Sequence, residues 1–305
     1  MMQRVALILL LASGLANASE DARDLLARMG EALATREYDG VLVYLHDGRI
    51  ETLRVVRTYE NGLPTARVTA LSGAPRTMQS APDASQCTLP DGSVTTIQRD
   101  SMQFLTAAAT ALQSVPESIY QLRVAGDDRV AGFDADIVEA TPRDAARFGF
   151  RVWIAQASGM LLGSSRLRPD GRPLEQMMFT QLRLGLVHAR PPATSSRALA
   201  PPGGLPAFAL APKDIPAIEL PMGFKLIGAG PGPRPLSRHY LYSDGLASIS
   251  LYLEPPDALT PPISGVSRRG AIHVLERRGA AGNALLLGDV PAITLKTIAA
   301  SLVLD

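Results

Sequence analysis

Apolar residues in the first half of this chain recur mostly every second position, interrupted by short turn signals. Residues 38–46 and 49–59 alternate in this way around Asp47-Gly48, the pattern of two strands joined by a tight hairpin. On the register such a turn sets, Leu42 faces Leu53 and Tyr44 faces Glu51. Asn61-Gly62 marks the next turn, and residues 65–71 read as a third strand. Pro90-Asp91-Gly92 turns a pair over 85–89 and 93–99. Strands resume near 121–125 and 135–140. Residues 148–155 and 160–167 form another hairpin around Ser158-Gly159, and Arg168-Pro169-Asp170-Gly171 leads into a strand near 174–182. The helical period occurs twice. Asp21 caps a stripe of Leu25, Leu26, Met29 and Leu33, and residues 104–114 are rich in alanine and end before Pro116. About nine strands with few helices predict an α+β class built on a large, curved antiparallel sheet.

The pattern lapses over residues 188–206. Pro191, Pro192, Pro201, Pro202 and Pro206 stand there with Gly203-Gly204, and neither period survives. This predicts a linker between an N-terminal domain over 19–187 and a small α+β domain over 207–305. In the second domain, Asp244-Gly245 predicts a two-residue turn within Tyr240–Leu253. That turn sets Tyr242 opposite Ala247 and Tyr240 opposite Ile249, on the face that Leu251 and Leu253 extend. Leu241, Ser248 and Ser250 fall on the other face. Strands near 267–276 and 283–287 follow. A helix over 290–302 closes the chain, with Pro291 in its first turn and Ile293, Ile298 and Leu302 on its apolar side. The pairs Arg268-Arg269 and Arg277-Arg278 flank one of these strands. They read either as a charge-protected edge or as a dock for an acidic peptide.

The N-terminus changes the picture of where the chain works. Arg4 precedes an apolar run from Val5 to Leu11, and Ala16-Asn17-Ala18 is an A-x-A cleavage site. Residues 1–18 are therefore expected to be a signal peptide, the mature chain to begin at Ser19, and the protein to be exported. The run is well short of the ~20 residues that a membrane helix needs. Lys and Arg total 30 against 29 Asp and Glu, with the basic residues scattered, which excludes a nucleic-acid-binding face. Cys87 is the single cysteine of the chain, so no intramolecular disulfide and no cysteine-built zinc site can form.

Signatures of catalysis are missing. His46, His188, His239 and His273 stand apart, without metal-ligand spacing, and no nucleophile elbow, Walker loop or dinucleotide fingerprint is present. Asp91, Asp127, Asp128, Asp170 and Asp244 fall in turns, where backbone hydrogen bonding alone explains acidic residues. These readings favour a binding protein without cofactor or metal over an enzyme. Aromatic residues make up only 5% of the chain, so their placement carries weight. Phe148, Phe150, Val152 and Ile154 share one face of their strand, and the single tryptophan, Trp153, lies on the other. Both faces of the sheet thus carry apolar groups. One can pack on helices; the other either lines an open hydrophobic cavity or is covered in turn. Leu42, Tyr44, Leu53 and Trp153 are the candidate cavity residues, with Met177 and Met178 suited to either role.

Several strings, taken in order, carry a family resemblance. They are the helix over 25–33, Gly73-Ala74-Pro75-Arg76, Phe150-Arg151-Val152-Trp153-Ile154, Leu220-Pro221-Met222-Gly223-Phe224 and Tyr242-Ser243-Asp244-Gly245-Leu246. Together they resemble the RseB/MucB family of periplasmic regulators of envelope-stress sigma factors. The resemblance implies a half-barrel N-terminal domain like that of lipoprotein carriers, plugged by a helix, and a smaller C-terminal domain. It implies a negative regulator that binds the periplasmic domain of an RseA/MucA-like anti-sigma factor and protects it from the first proteolytic cut. Release by lipopolysaccharide or another lipid, control of alginate in one branch, and a homodimer or larger homo-oligomer are implied as well. Tyr240, Tyr242, Arg268 and Arg269 are the candidate partner-binding residues. The alternative reading is a periplasmic lipid or lipoprotein carrier, and a third class is an envelope hydrolase.

Overall fold

The structure, a computed structural model, describes residues 21–80, 85–89, 91–97, 111–187, 215–256 and 265–304. The expected signal peptide over 1–18, the expected linker over 188–206 and most of the expected helix over 104–114 lie outside the described residues. The chain divides into two compact units, the first built from residues up to Thr141 and from Gly149 to Ser195. The second holds Pro142–Phe148 together with everything from Ser196 onward.

The first unit is one antiparallel sheet of eleven strands. Its first half is β1 (Arg36–His46), β2 (Arg49–Glu60), β3 (Leu63–Ala70), β4 (Thr77–Ser80), β5 (Ser85–Thr88) and β6 (Val94–Ile97). Its second half is β7 (Tyr120–Val130), β8 (Phe133–Pro142), β9 (Gly149–Ala155), β10 (Leu161–Leu167) and β11 (Pro173–Val187). The order β6-β5-β4-β3-β2-β1-β11-β10-β9-β8-β7 makes two meanders joined where β1 pairs with β11. The hairpins follow from local chemistry. Asp47 and Gly48 have φ of 48° and 71°, Asn61 and Gly62 of 53° and 77°, the double positive φ of a two-residue turn. The expected pairs Leu42↔Leu53 and Tyr44↔Glu51 are found. Ala131-Gly132, with φ of 51° and 88°, is a third such turn, and it makes β7 and β8 longer than their apolar patches suggested. Strand β4, Thr-Met-Gln-Ser, went unpredicted because it carries no alternation.

A helix over residues 21–35, α1, buries Ala22, Leu26, Met29 and Leu33. Arg28 donates to the Gln156 carbonyl at 2.6 Å in the β9–β10 turn, and Arg23 to the Gln113 and Val115 carbonyls. Arg28 thus ties the middle of α1 to the β9–β10 turn, and Arg23 ties its first turn to the segment before β7.

The second unit has a six-stranded antiparallel sheet, ordered β12-β13-β14-β17-β16-β15. Its strands are β12 (Lys225–Pro231), β13 (Arg238–Ser243), β14 (Ser248–Glu254), β15 (Val266–Arg269), β16 (Ile272–Arg278) and β17 (Asn283–Gly288), followed by helix α2 (Ala292–Ser301). Three expectations are corrected here. The β13–β14 register is Tyr242↔Ile249 and Tyr240↔Leu251, because the turn spans Asp244–Ala247 rather than Asp244-Gly245 alone. Asp244 Oδ1 accepts from the Leu246 and Ala247 amides at 2.9 and 2.8 Å, which holds the longer loop open. A shift of two keeps the parity, so the tyrosines stay on the expected face. The single strand expected over 267–276 is two strands, folded at Gly270 with φ 59°. Ile293, expected on the apolar side of α2, is 56% exposed, and Leu295 takes its place in the core. That core packs Tyr240, Tyr242, Ile249, Leu251 and Leu286 from the sheet against Leu295, Ile298 and Leu302.

Candidate functional site

In the first unit, two pockets open on the sheet face that carries Tyr44, which lines both. One is walled by Phe150, Val152, Met177 and Leu112, with Ser164, Arg166 and Glu175. The other is walled by Leu53, Val68, Ala70 and Met78, with Glu51 and Arg76. The second is a cavity of about 180 Å³. A pocket for a drug-sized ligand runs to at least ~300 Å³, so this one fits the end of an apolar chain rather than a whole lipid.

Each pocket holds one arginine and one carboxylate, Arg166 and Glu175 as cross-strand neighbours in the first, Arg76 and Glu51 as an ion pair in the second. Glu51 receives Arg76 and stands 3.4 Å from His46 Nε2. His46 stacks on Tyr44 with ring centres 4.7 Å apart. Burial, then the charge of Glu175, pushes the Tyr44 hydroxyl well above the usual phenol range, so it remains a neutral donor. Arg166 lies over the Phe150 ring at 5.2 Å. The arrangement is apolar at its walls and charged but neutralised at its rim.

Of the four sequence-predicted cavity residues, Tyr44 and Leu53 line the pockets. Leu42 is fully buried and pairs with Leu53 on the same face. Trp153 sits on the opposite face. Its indole N–H donates to Asp128 at 2.9 Å, and Arg151 covers its ring at 5.9 Å. The pocket residues of β9 are its neighbours Phe150 and Val152. Strand parity could have found them. Tyr44 pairs with Met177, Met177 with Ser164 and Ser164 with Val152, one face carried across four strands.

The predicted partner-binding residues separate. Tyr240 and Tyr242 are 1% and 2% exposed, inside the core. Burial raises the Tyr242 phenol well above its usual range. Arg268 and Arg269 are exposed on β15, the sheet's edge, where Arg268 donates to the Gly270 carbonyl at 2.7 Å. The feature that sequence reasoning missed is a buried ion pair. Arg147 Nε lies 2.9 Å from Asp244 Oδ2, and both side chains are 1% exposed. Arg147 also donates to Asp144 at 2.9 Å and to the Met222 carbonyl at 2.6 Å, and lies over the Phe224 ring. Burial raises the Asp244 carboxyl, against the downward pull of the Ala247 and Leu246 amides and Arg147.

Among the described residues, no cluster of three or more His, Cys, Asp or Glu could hold a metal, and no helix is long and apolar enough to cross a membrane. Residues 21–202 match the MucB/RseB N-terminal domain and residues 215–303 the MucB/RseB C-terminal domain. The sigma factor AlgU regulatory protein MucB of Pseudomonas aeruginosa is 30% identical over 83% of this chain and 82% of its own length. The sigma-E factor regulatory protein RseB of Haemophilus influenzae is 26% identical over 57% of this chain and 56% of its own. A crystal structure of MucB in complex with periplasmic MucA superposes at a TM-score of 0.66, with 26% identity over 93% of this chain and 99% of that one. Two adjacent domain matches, in family order and covering nearly all of the described chain, place it in the MucB/RseB family of regulatory binding proteins.

Proposed function

We propose that this chain is a periplasmic negative regulator of an envelope-stress sigma factor. It binds the periplasmic domain of a MucA/RseA-like anti-sigma factor and shields it from proteolysis. The observation that carries this reading is the likeness, over 93% of the chain, to a MucB solved with periplasmic MucA bound. Arg268 and Arg269 are the docking residues, since they are exposed and lie on the edge strand of the sheet among the described residues. Tyr240 and Tyr242, four strands away on β13, act from within the core, holding the sheet on α2. The first unit takes the end of a lipid chain between Leu53 and Val68 beside Tyr44, with Leu42 as the floor. Trp153 contributes by fixing β9 through Asp128.

The test is titration calorimetry of the full chain against the periplasmic domain of its cognate anti-sigma factor. Binding with a Kd tighter than about 10 μM is expected, and an Arg268→Glu/Arg269→Glu variant should weaken it at least about tenfold. No heat at that concentration, with lipid removed beforehand, overturns the reading. Unchanged affinity in the variant moves the docking surface elsewhere.

A further inference from the structure

The string Tyr242-Ser243-Asp244-Gly245-Leu246 reads from sequence as a plain hairpin turn, yet its aspartate has two partners. One carboxylate oxygen shapes the loop through the Leu246 and Ala247 amides; the other faces Arg147 at 2.9 Å. Arg147 belongs to Pro142–Phe148, which leaves the first unit at the end of β8, packs as part of the second, and returns at the start of β9. The segment is held along its length. Thr294 on α2 donates to the Ala146 carbonyl at 2.8 Å, Arg147 fills the pocket of Asp244, Phe224 and the Met222 carbonyl, and Phe148 stacks on His273. Directly after it, Phe150 and Val152 of β9 line the apolar pocket of the first unit.

We propose that Pro142–Phe148 is a strap locked into the second unit by Arg147 and Asp244, and that β9 links the lock to the state of the first unit's pocket. Only Phe148 and Gly149, the first residue of β9, separate Arg147 from the pocket wall at Phe150. The covalent backbone between them has little slack, so a displacement of Phe150 is carried to the strap. Filling the pocket displaces Phe150 and Val152 and draws on the strap. Arg147 cannot follow by small steps, because a guanidinium leaving a buried carboxylate leaves that carboxylate walled in without its cation. The lock is therefore two-state, held or released. Its use in lipid response rests on the function proposed above; the lock itself does not.

Hydrogen exchange of the full chain, read by mass spectrometry, tests this without any lipid. Arg147→Met should speed exchange over residues 240–250 at least about tenfold while residues 38–60 keep their wild-type rates. An Arg147→Met/Asp244→Asn variant, which removes both charges but keeps the side-chain oxygen that accepts from the Leu246 and Ala247 amides, should recover the slow rates and controls for misfolding. Ser164→Trp, which fills the pocket beside Val152, should also speed exchange over 142–148 and 240–250. Wild-type rates over 240–250 in Arg147→Met overturn the lock. A Ser164→Trp effect confined to the first unit overturns the coupling. Both outcomes are independent of whether the protein binds lipid or an anti-sigma factor.

Discussion

His239 shows how a single side chain acquires a pH response from its surroundings. It lies on β13, stacked on Tyr252 with ring centres 4.1 Å apart and planes 10° from parallel. Its Nε2 is buried without a hydrogen-bond partner among the described residues. Burial lowers its affinity for a proton below that of a free histidine. The unfolded chain then takes up a proton near pH 6.5 that the folded unit refuses, so stability falls as the pH drops through that value. Denaturant midpoints at pH 7.5 and 5.5 should therefore differ, and His239→Phe should narrow the difference by removing this histidine's share. An equal difference in the variant would assign the slope to carboxylates alone. The prediction needs the structure. In the sequence His239 is one of four isolated histidines, and only the β13–β14 pairing sets it against Tyr252.

At the scale of elements, α2 has an uneven pair of ends. Its N-cap is Pro291, which offers no side-chain hydrogen bond, and its first turn holds no acidic residue. The C-terminal end is capped from outside. Arg277 on β16 donates to the carbonyl oxygens of both Ala299, which also accepts from the Leu302 amide, and Leu302, at the end where helix carbonyls lack intrahelical donors. A cation there also opposes the negative end of the helix dipole. Arg277→Met keeps the aliphatic stem and removes both contacts, and should cost about 1.5–3 kcal/mol, the range for hydrogen bonds to a charged group. The thermal transition of the second unit reads it, and a loss under about 0.5 kcal/mol would mean that water replaces the arginine. The helix itself was legible in the sequence from Pro291 and the spacing of Ile298 and Leu302. Its cap was not, because nothing local distinguishes Arg277 from Arg278, which pairs with Glu276 instead. The same limit explains the strands. The hairpin at Asp47-Gly48 was readable to the residue, since a two-residue turn fixes the register. Ala131-Gly132 and the four-residue loop at Asp244 were not, since the first lacks the usual asparagine or aspartate and the second depends on side-chain hydrogen bonds. Two pocket walls, Tyr44 and Leu53, follow from period-two parity; Phe150 and Val152 required the strand order as well.

At the scale of the whole molecule, the second compact unit draws on two stretches of chain, Pro142–Phe148 and the residues from Ser196 onward. A cut in the proline-rich stretch, which composition alone recommends, would separate residues 207–305 from Pro142–Phe148 and so divide the second unit. The loss can be traced group by group. Asp244 keeps its loop amides but loses the Arg147 guanidinium, while remaining walled by the core; Phe224 loses the guanidinium over its ring; Thr294 loses its acceptor; His273 loses Phe148. Removing one member of a buried ion pair typically costs about 3–5 kcal/mol, because the survivor is left charged and unpaired. For a domain of roughly 100 residues each kcal/mol moves Tm by about 4–8 °C, so the fragment should melt at least about 12 °C below the second unit of the intact chain. The direction of rescue identifies the cause. Asp244→Leu in the fragment removes the stranded charge and should raise its Tm, whereas the same substitution in the intact chain strands Arg147 and should lower it. A substitution whose sign reverses with the presence of a distant segment can only act through that segment. If Asp244→Leu lowers Tm in both, the aspartate serves its own loop, and the strap is packing without a lock.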